Sequence, residues 1–470
     1  MVFSSIIFLC MFLPVVMAAY FICPARFRNI ILLASSLFFY AWGEPIYILI
    51  MLFSTVFDYI NGLLLERFEI RQKFRAHKAV IIISVVVNIG ILCFFKYTDF
   101  IITNINELTG SAIGLLQIAL PIGISFYTFQ TLSYTIDVYR GKVKAQHNIL
   151  DFATYISMFP QLIAGPIVRY SDVEKEIHNR TTNLTMVVQG TQRFLLGLGK
   201  KVLLANQIGA IWTEISSMGE LNTSLAWLGA LAYTFQIYFD FSGYSDMAVG
   251  LGKIMGFKFP ENFMYPYQSK SITEFWRRWH ITLSSWFREY LYIPLGGNRK
   301  GLPRQIFNLF IVWFLTGLWH GAGWTFITWG LYFFVILLLE KTFLLKLLDK
   351  CPVIIQHAYA VLLIVIGWVI FASPDLSTAG TFLKAMFGIG VSAAGGMAGY
   401  MWRTHAVLII VLAIGSTQLP KIFWRLGLKK LFVKAKWRVI ALNILCLAVL
   451  FCSLAFLVGD TYNPFLYFRF

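Results

Sequence analysis

Two Trp-His pairs, Trp279-His280 and Trp319-His320, stand out as the groups best able to do chemistry in this sequence. From Ile306 to Leu339 there is no Asp, Glu, Lys or Arg, which leaves His320 as the only side chain in that stretch that titrates near neutral pH. A polar group in such surroundings is costly, and imidazole is well matched to proton transfer at physiological pH, so His320 is a candidate general base. The competing reading is a histidine that hydrogen-bonds a neighbouring helix. His280 follows Phe275-Trp276-Arg277-Arg278-Trp279 and reads either as a second functional imidazole or as a cap within an interfacial helix. Arg277, Arg278 and Arg288 are either headgroup anchors or a phosphate-recognition set for a coenzyme, which the planar guanidinium favours. Asp240 and Asp246 are supporting polar residues that either orient a histidine or arginine or cross-link helices. The tail from Tyr462 to Phe470 reads as an aromatic belt, or else the Tyr467 phenol folds back as a transient acyl acceptor.

The elements that must hold these side chains follow from composition. The 470 residues are 58% hydrophobic and only 13% charged, with a mean hydropathy of +0.71. Soluble globules carry about a quarter charged residues, so the fold class is an all-α polytopic integral membrane protein. The net charge of +17 falls in short loops between apolar runs, where cations set orientation, and implies membrane lipids and no nucleic-acid partner. The run over 3–23 lacks a basic leader and a small-residue cleavage site, and is read as a retained span rather than a signal peptide. No two of the six cysteines have the spacing of a zinc or redox site, and no Gly-rich phosphate loop or His-Glu-x-x-His is present. Neither a metal nor a tightly bound cofactor is expected.

Apolar runs of spanning length lie near 3–23, 29–43, 45–65, 79–95, 115–138, 202–218, 224–249, 354–372, 405–419 and 438–458. Their flanks alternate as the positive-inside rule requires: Arg26 and Arg28 inside, Glu44 outside, Arg67 to Lys78 inside, Lys96 outside, Arg140 to Lys144 inside. As one helix, Ile306–Leu339 would be about 51 Å long against a hydrocarbon core of about 30 Å. Gly317, Gly321 and Gly323 cluster around His320 and both flanks are basic, so the expectation is two short helices with His320 at their turn; one kinked, tilted helix is the alternative. Met158–Pro166, with two prolines and a glycine, is expected to be a re-entrant loop. Ser271 and Glu274 have capping-box spacing ahead of an interfacial helix that should end before Pro294, with a turn at Gly296-Gly297-Asn298. With about 11–12 transmembrane helices in all, one integral domain covers 1–470.

Five blocks resemble the membrane-bound O-acyltransferase family, in particular its bacterial alginate O-acetylation branch: MFPQLIAGPIVRY from Met158, FDFSGYSDMAVGLG from Phe239, PENFMYPY from Pro260, FWRRWHITLSSWFREYLYIPLGG from Phe275 and TGLWHGAGW from Thr316. The resemblance implies a helical enzyme with a tunnel through a thinned centre, His320 at the position of the active-site residue and His280 at a second functional position. It also implies a cytoplasmic thioester donor, typically acetyl-CoA, whose acyl group is delivered across the plasma membrane of a bacterium. In that chemistry His320 is the general base on the acceptor hydroxyl, and His280 polarises or positions the thioester. The expected product is an O-acetylated extracytoplasmic polysaccharide, made directly or through a separate extracytoplasmic acetyltransferase of the SGNH, alginate-acetylation type. The alternatives are D-alanyl transfer to teichoic acid from a carrier protein, a proton-coupled transporter or flippase, and a non-catalytic export scaffold.

Overall fold

A computed structural model describes residues 2–431, 435–459 and 465–466, and every regular element among them is helical. Helices satisfy their own backbone polar groups, as apolar runs of this length require in lipid. Six of them, Ile48–Ile70, Phe74–Thr109, Leu184–Ser216, Val353–Ala372, Gly396–Gly415 and Trp437–Gly459, are long and apolar enough to cross a membrane. Only 11% of the apolar window of Trp437–Gly459 is buried inside the protein, a surface that is stable against lipid and not against water. Other apolar runs fold into shorter helices; the run over 115–138, for example, becomes helical only at Ile124. Contacts separate two compact units, Met1–Phe194 with Met247–Pro260 and Leu195–Asp246 with Glu261–Phe470.

In the first unit, α1 (Ile48–Ile70), α2 (Phe74–Thr109) and α3 (Ile124–Tyr139) pack around a buried polar cluster. The fully buried Asp58 carboxylate accepts from Ser84 Oγ and Asn88 Nδ2, each at 2.7 Å, and Thr131 donates to Asn88 Oδ1 at 3.3 Å. Met158–Pro166 is irregular around one short helical turn, Phe159–Leu162, and is buried throughout.

The second unit holds the two Trp-His pairs. The long helix α4 (Thr223–Ile254) carries Asp240 and Asp246. Next come α5 (Ile272–Arg278) and α6 (Ile281–Phe287), followed by the hairpin α7 (Leu302–His320) and α8 (Trp324–Leu339), and then α9 (Val353–Ala372). The hairpin matches the reading from length, and His320 is the last residue of α7. Its glycines serve close approach more than unusual backbone angles. A Cβ on Gly330 would meet the Trp313 carbonyl oxygen, and one on Gly317 would meet the Phe326 carbonyl oxygen, so the two helices pack backbone against backbone. Trp276, Trp313, Trp329 and Phe333 fill the space between α5 and the hairpin with edge-to-face aromatic contacts.

The α5 N-terminus is capped as its sequence indicates: Ser271 Oγ accepts from the Glu274 amide at 3.0 Å. The helical stretch stops at Tyr292, before Pro294, and Gly296 and Gly297 turn with φ of +110° and +55°. It is not one helix, however. It breaks at Trp279-His280, where His280 takes φ +43° and ψ +54°, a left-handed conformation that few side chains other than glycine adopt.

Candidate active site

His320 is 7% exposed and boxed by rings: Trp319 and Trp329 with centroids at 5.0 Å, and Phe371 of α9 at 5.3 Å. It opens on a small cavity of about 20 Å³ lined by Ile237, Asp240 and Phe241 of α4, Trp279, Trp368 and Phe371 of α9, and Leu466. The lining is almost wholly apolar and aromatic, with the His320 imidazole and the Asp240 carboxylate as its ionisable side chains.

His280 is 1% exposed. Its ring meets Phe241 edge-on at 4.8 Å and faces Trp319 at 6.0 Å, so Trp319 lies against both imidazoles. Its Nδ1 is 3.0 Å from Asn262 Oδ1, while Nε2 has no hydrogen-bond partner among the described residues. His280 lies outside the helices long enough to span, and burial pushes its imidazole down to about 3, which keeps the ring neutral. The strained backbone at His280 turns the chain between α5 and α6, and the turn is held on both sides, by Met264 N–H donating to the Arg278 carbonyl at 2.9 Å and by Ile281 N–H donating to the Asn262 carbonyl at 3.0 Å.

The two aspartates of α4 are paired with lysines. Lys201 donates to Asp240, both buried, and Lys200 donates to Asp246 at 2.6 Å. Both lysines belong to a π-helical turn, Lys200–Ala205, inside a longer helix. The second oxygen of Asp240 accepts from the Leu466 amide at 2.9 Å, and Lys201 sits over the Phe465 ring at 4.7 Å. One ion pair therefore ties this stretch of the tail to the wall of the His320 cavity. Lys200, Lys201 and Asn262 were missed by the sequence reading; the Gly-Lys-Lys step ahead of an apolar run was the available signal for the lysines.

The model of the MBOAT, membrane-bound O-acyltransferase family matches residues 142–369, which include both histidines. The probable alginate O-acetylase of Pseudomonas aeruginosa is 46% identical over 394 residues, covering 83% of this chain and 75% of that protein. That of Pseudomonas putida is 39% identical over 493 aligned positions, covering all of both chains. The peptidoglycan O-acetyltransferase of Helicobacter pylori is 37% identical over 434, covering 83% and 81%. The chain belongs to the membrane-bound O-acyltransferase family. It is accordingly a multi-pass membrane protein and an O-acyltransferase, in keeping with the six spanning-length apolar helices among the described residues and with its relatives.

The other sequence-derived residues of this O-acyltransferase are placed as follows. Arg278 pairs with Glu274 at 2.6 Å and donates to the Met264 carbonyl at 3.3 Å, whereas Arg277 and Arg288 are exposed. Tyr467 lies outside the described residues. Among the described residues, no group of three His, Cys, Asp or Glu side chains converges as a metal site would.

Proposed function

We propose that this membrane-bound O-acyltransferase takes an acetyl group from cytoplasmic acetyl-CoA and delivers it across the bacterial plasma membrane for O-acetylation of an extracytoplasmic polysaccharide. The observation that carries the reading is His320, closing the first arm of an apolar hairpin inside an aromatic cavity. The acceptor hydroxyl attacks the thioester carbonyl while His320 takes its proton. The new C–O bond forms as the C–S bond breaks, the thiolate leaves, and the proton on His320 passes to sulfur to give free CoA. The carbonyl end of α7 stabilises the positive charge that the ring carries between these events. His280 polarises or positions the thioester, and Arg277, Arg278 and Arg288 receive the CoA phosphates, with Arg277 and Arg288 exposed for that role. The Tyr467 phenol is the first acceptor and hands the acetyl group to an SGNH-type extracytoplasmic transferase or to the polymer. Its support is the adjacent Leu466, which lines the His320 cavity.

The test is transfer from labelled acetyl-CoA by purified protein in liposomes. His320→Ala should lower turnover by about 10²–10⁴-fold with unchanged membrane insertion, and Tyr467→Phe should abolish acetyl release to acceptor. Full turnover by His320→Ala would overturn the reading.

A further inference from the structure

We infer that Asn262 is a positioning residue that holds His280 as the Nδ1–H tautomer, so that Nε2 meets the substrates as a hydrogen-bond acceptor and not as a donor to the thioester carbonyl. This rests on the proposed acyl transfer and decides between the two roles given to His280 there.

The Thr282 backbone N–H lies 3.3 Å from the Asn262 amide and can only donate, so the atom facing it is the oxygen, Oδ1. Thr282 Oγ1 donates to the same atom at 2.9 Å. On the other side of the amide, Asn262 Nδ2 donates to Ser245 Oγ on α4 at 3.1 Å, which agrees with that orientation. His280 Nδ1 stands 3.0 Å from this oxygen and must therefore carry the proton. The ring is neutral, so its remaining nitrogen, Nε2, keeps a lone pair that no described residue fills. A bare Nε2 cannot polarise a carbonyl oxygen. It can only accept, from an amide N–H of the donor's pantetheine arm or from the acceptor hydroxyl, and both are hydrogen-bond donors of the transferring pair.

The experiment uses the full-length protein in nanodiscs with ¹⁵N-labelled histidine, the His280 signals being identified by their loss in His280→Gln. Solid-state NMR should show protonated Nδ1 and bare Nε2 in the native protein and in Asn262→Asp, which keeps the acceptor oxygen. Asn262→Leu should shift the proton toward Nε2 and lower turnover about tenfold or more, and Asn262→Asp should restore most of it. A rise in KM for acetyl-CoA would identify the pantetheine arm as the donor that Nε2 accepts; a fall in kcat alone would identify the acceptor hydroxyl. A protonated Nε2 in the native spectrum, or Nδ1–H persisting in Asn262→Leu, overturns the inference. If Asn262→Leu does not fold, the native spectrum decides by itself. The proposed transfer fails separately, by turnover surviving His320→Ala, and that result leaves the tautomer untouched.

Discussion

Glu340 is the most exacting test of how the site is held. It is 1% exposed, follows directly on α8, and spends both carboxylate oxygens on the start of α5. Oε1 accepts from the Ile272 amide at 2.7 Å and the Tyr359 hydroxyl at 3.1 Å; Oε2 accepts from the Thr273 amide at 2.7 Å and its hydroxyl at 2.6 Å. With Ser271 satisfying the Glu274 amide, the first three N–H groups of α5 all have acceptors, and a negative charge sits at the positive end of the helix. Glu340→Ala orphans one buried and one partly buried amide, at about 1–3 kcal/mol each at most, and removes the charge, while relieving the desolvation cost of a buried carboxylate. The net expectation is a loss of about 3–5 kcal/mol, as for other buried networks that lose one charged partner. Glu340→Gln keeps one oxygen but turns an NH₂ toward a donor, for a loss of about 1–3 kcal/mol. Both are read by tryptophan fluorescence during thermal unfolding in detergent, since Trp276 lies on α5 and Trp279 just beyond it. Because His280 comes two residues after α5 ends, the Gln variant should also lose turnover in the acetyl-transfer assay at temperatures where it remains folded. Native melting of both variants would refute the idea that this carboxylate anchors α5.

Two further predictions follow from the same packing. Asp240→Ala removes the carboxylate that Lys201 donates to and frees the Leu466 amide, so it should destabilise by about 3–5 kcal/mol, whereas Asp240→Ala with Lys201→Met should recover much of that loss in unfolding experiments; a double-variant loss equal to the sum of the two single-variant losses would show that the pair is not coupled. Gly330→Ala drives a methyl group into the Trp313 carbonyl and should cost about 1–3 kcal/mol in thermal unfolding and lower transfer by shifting α7 under His320, while Gly380→Ala, with nothing within 4 Å of its Cβ, should stay within about 0.5 kcal/mol of native.

The hairpin and the place of His320 were legible because the length of an uncharged run against the thickness of a bilayer, the glycines around His320 and the basic flanks all point the same way. The break at His280 was not. Residues Ile272–Tyr292 have a continuous helical character locally, and the left-handed turn is imposed from outside, where the 262–264 segment pairs with Arg278 and Ile281. The arginines and aspartates were found as chemical types, but their partners were not. Asp240, read as orienting a histidine or an arginine or else as cross-linking helices, pairs with Lys201 and accepts from the Leu466 amide.

The missed residues share a physical feature. Asn262 acts on a histidine 18 residues away, Lys201 on an aspartate 39 away and Glu340 on an amide 68 away. Periodicity and capping rules describe neighbours within a few residues, so they show where a polar group is costly and stay silent on which distant group compensates it. Yet in an apolar interior these distant pairings are the strong ones, because neither partner has water to turn to. His320 owes its position to backbone contact between two glycine-bearing helices, which the sequence displays. His280 owes its position and its protonation to an amide and a carboxylate that the sequence displays only as ordinary polar residues. Substitutions at Asn262 and Glu340 should therefore disturb His280 before they disturb His320, and comparing the two rings by NMR in those variants separates the two supports.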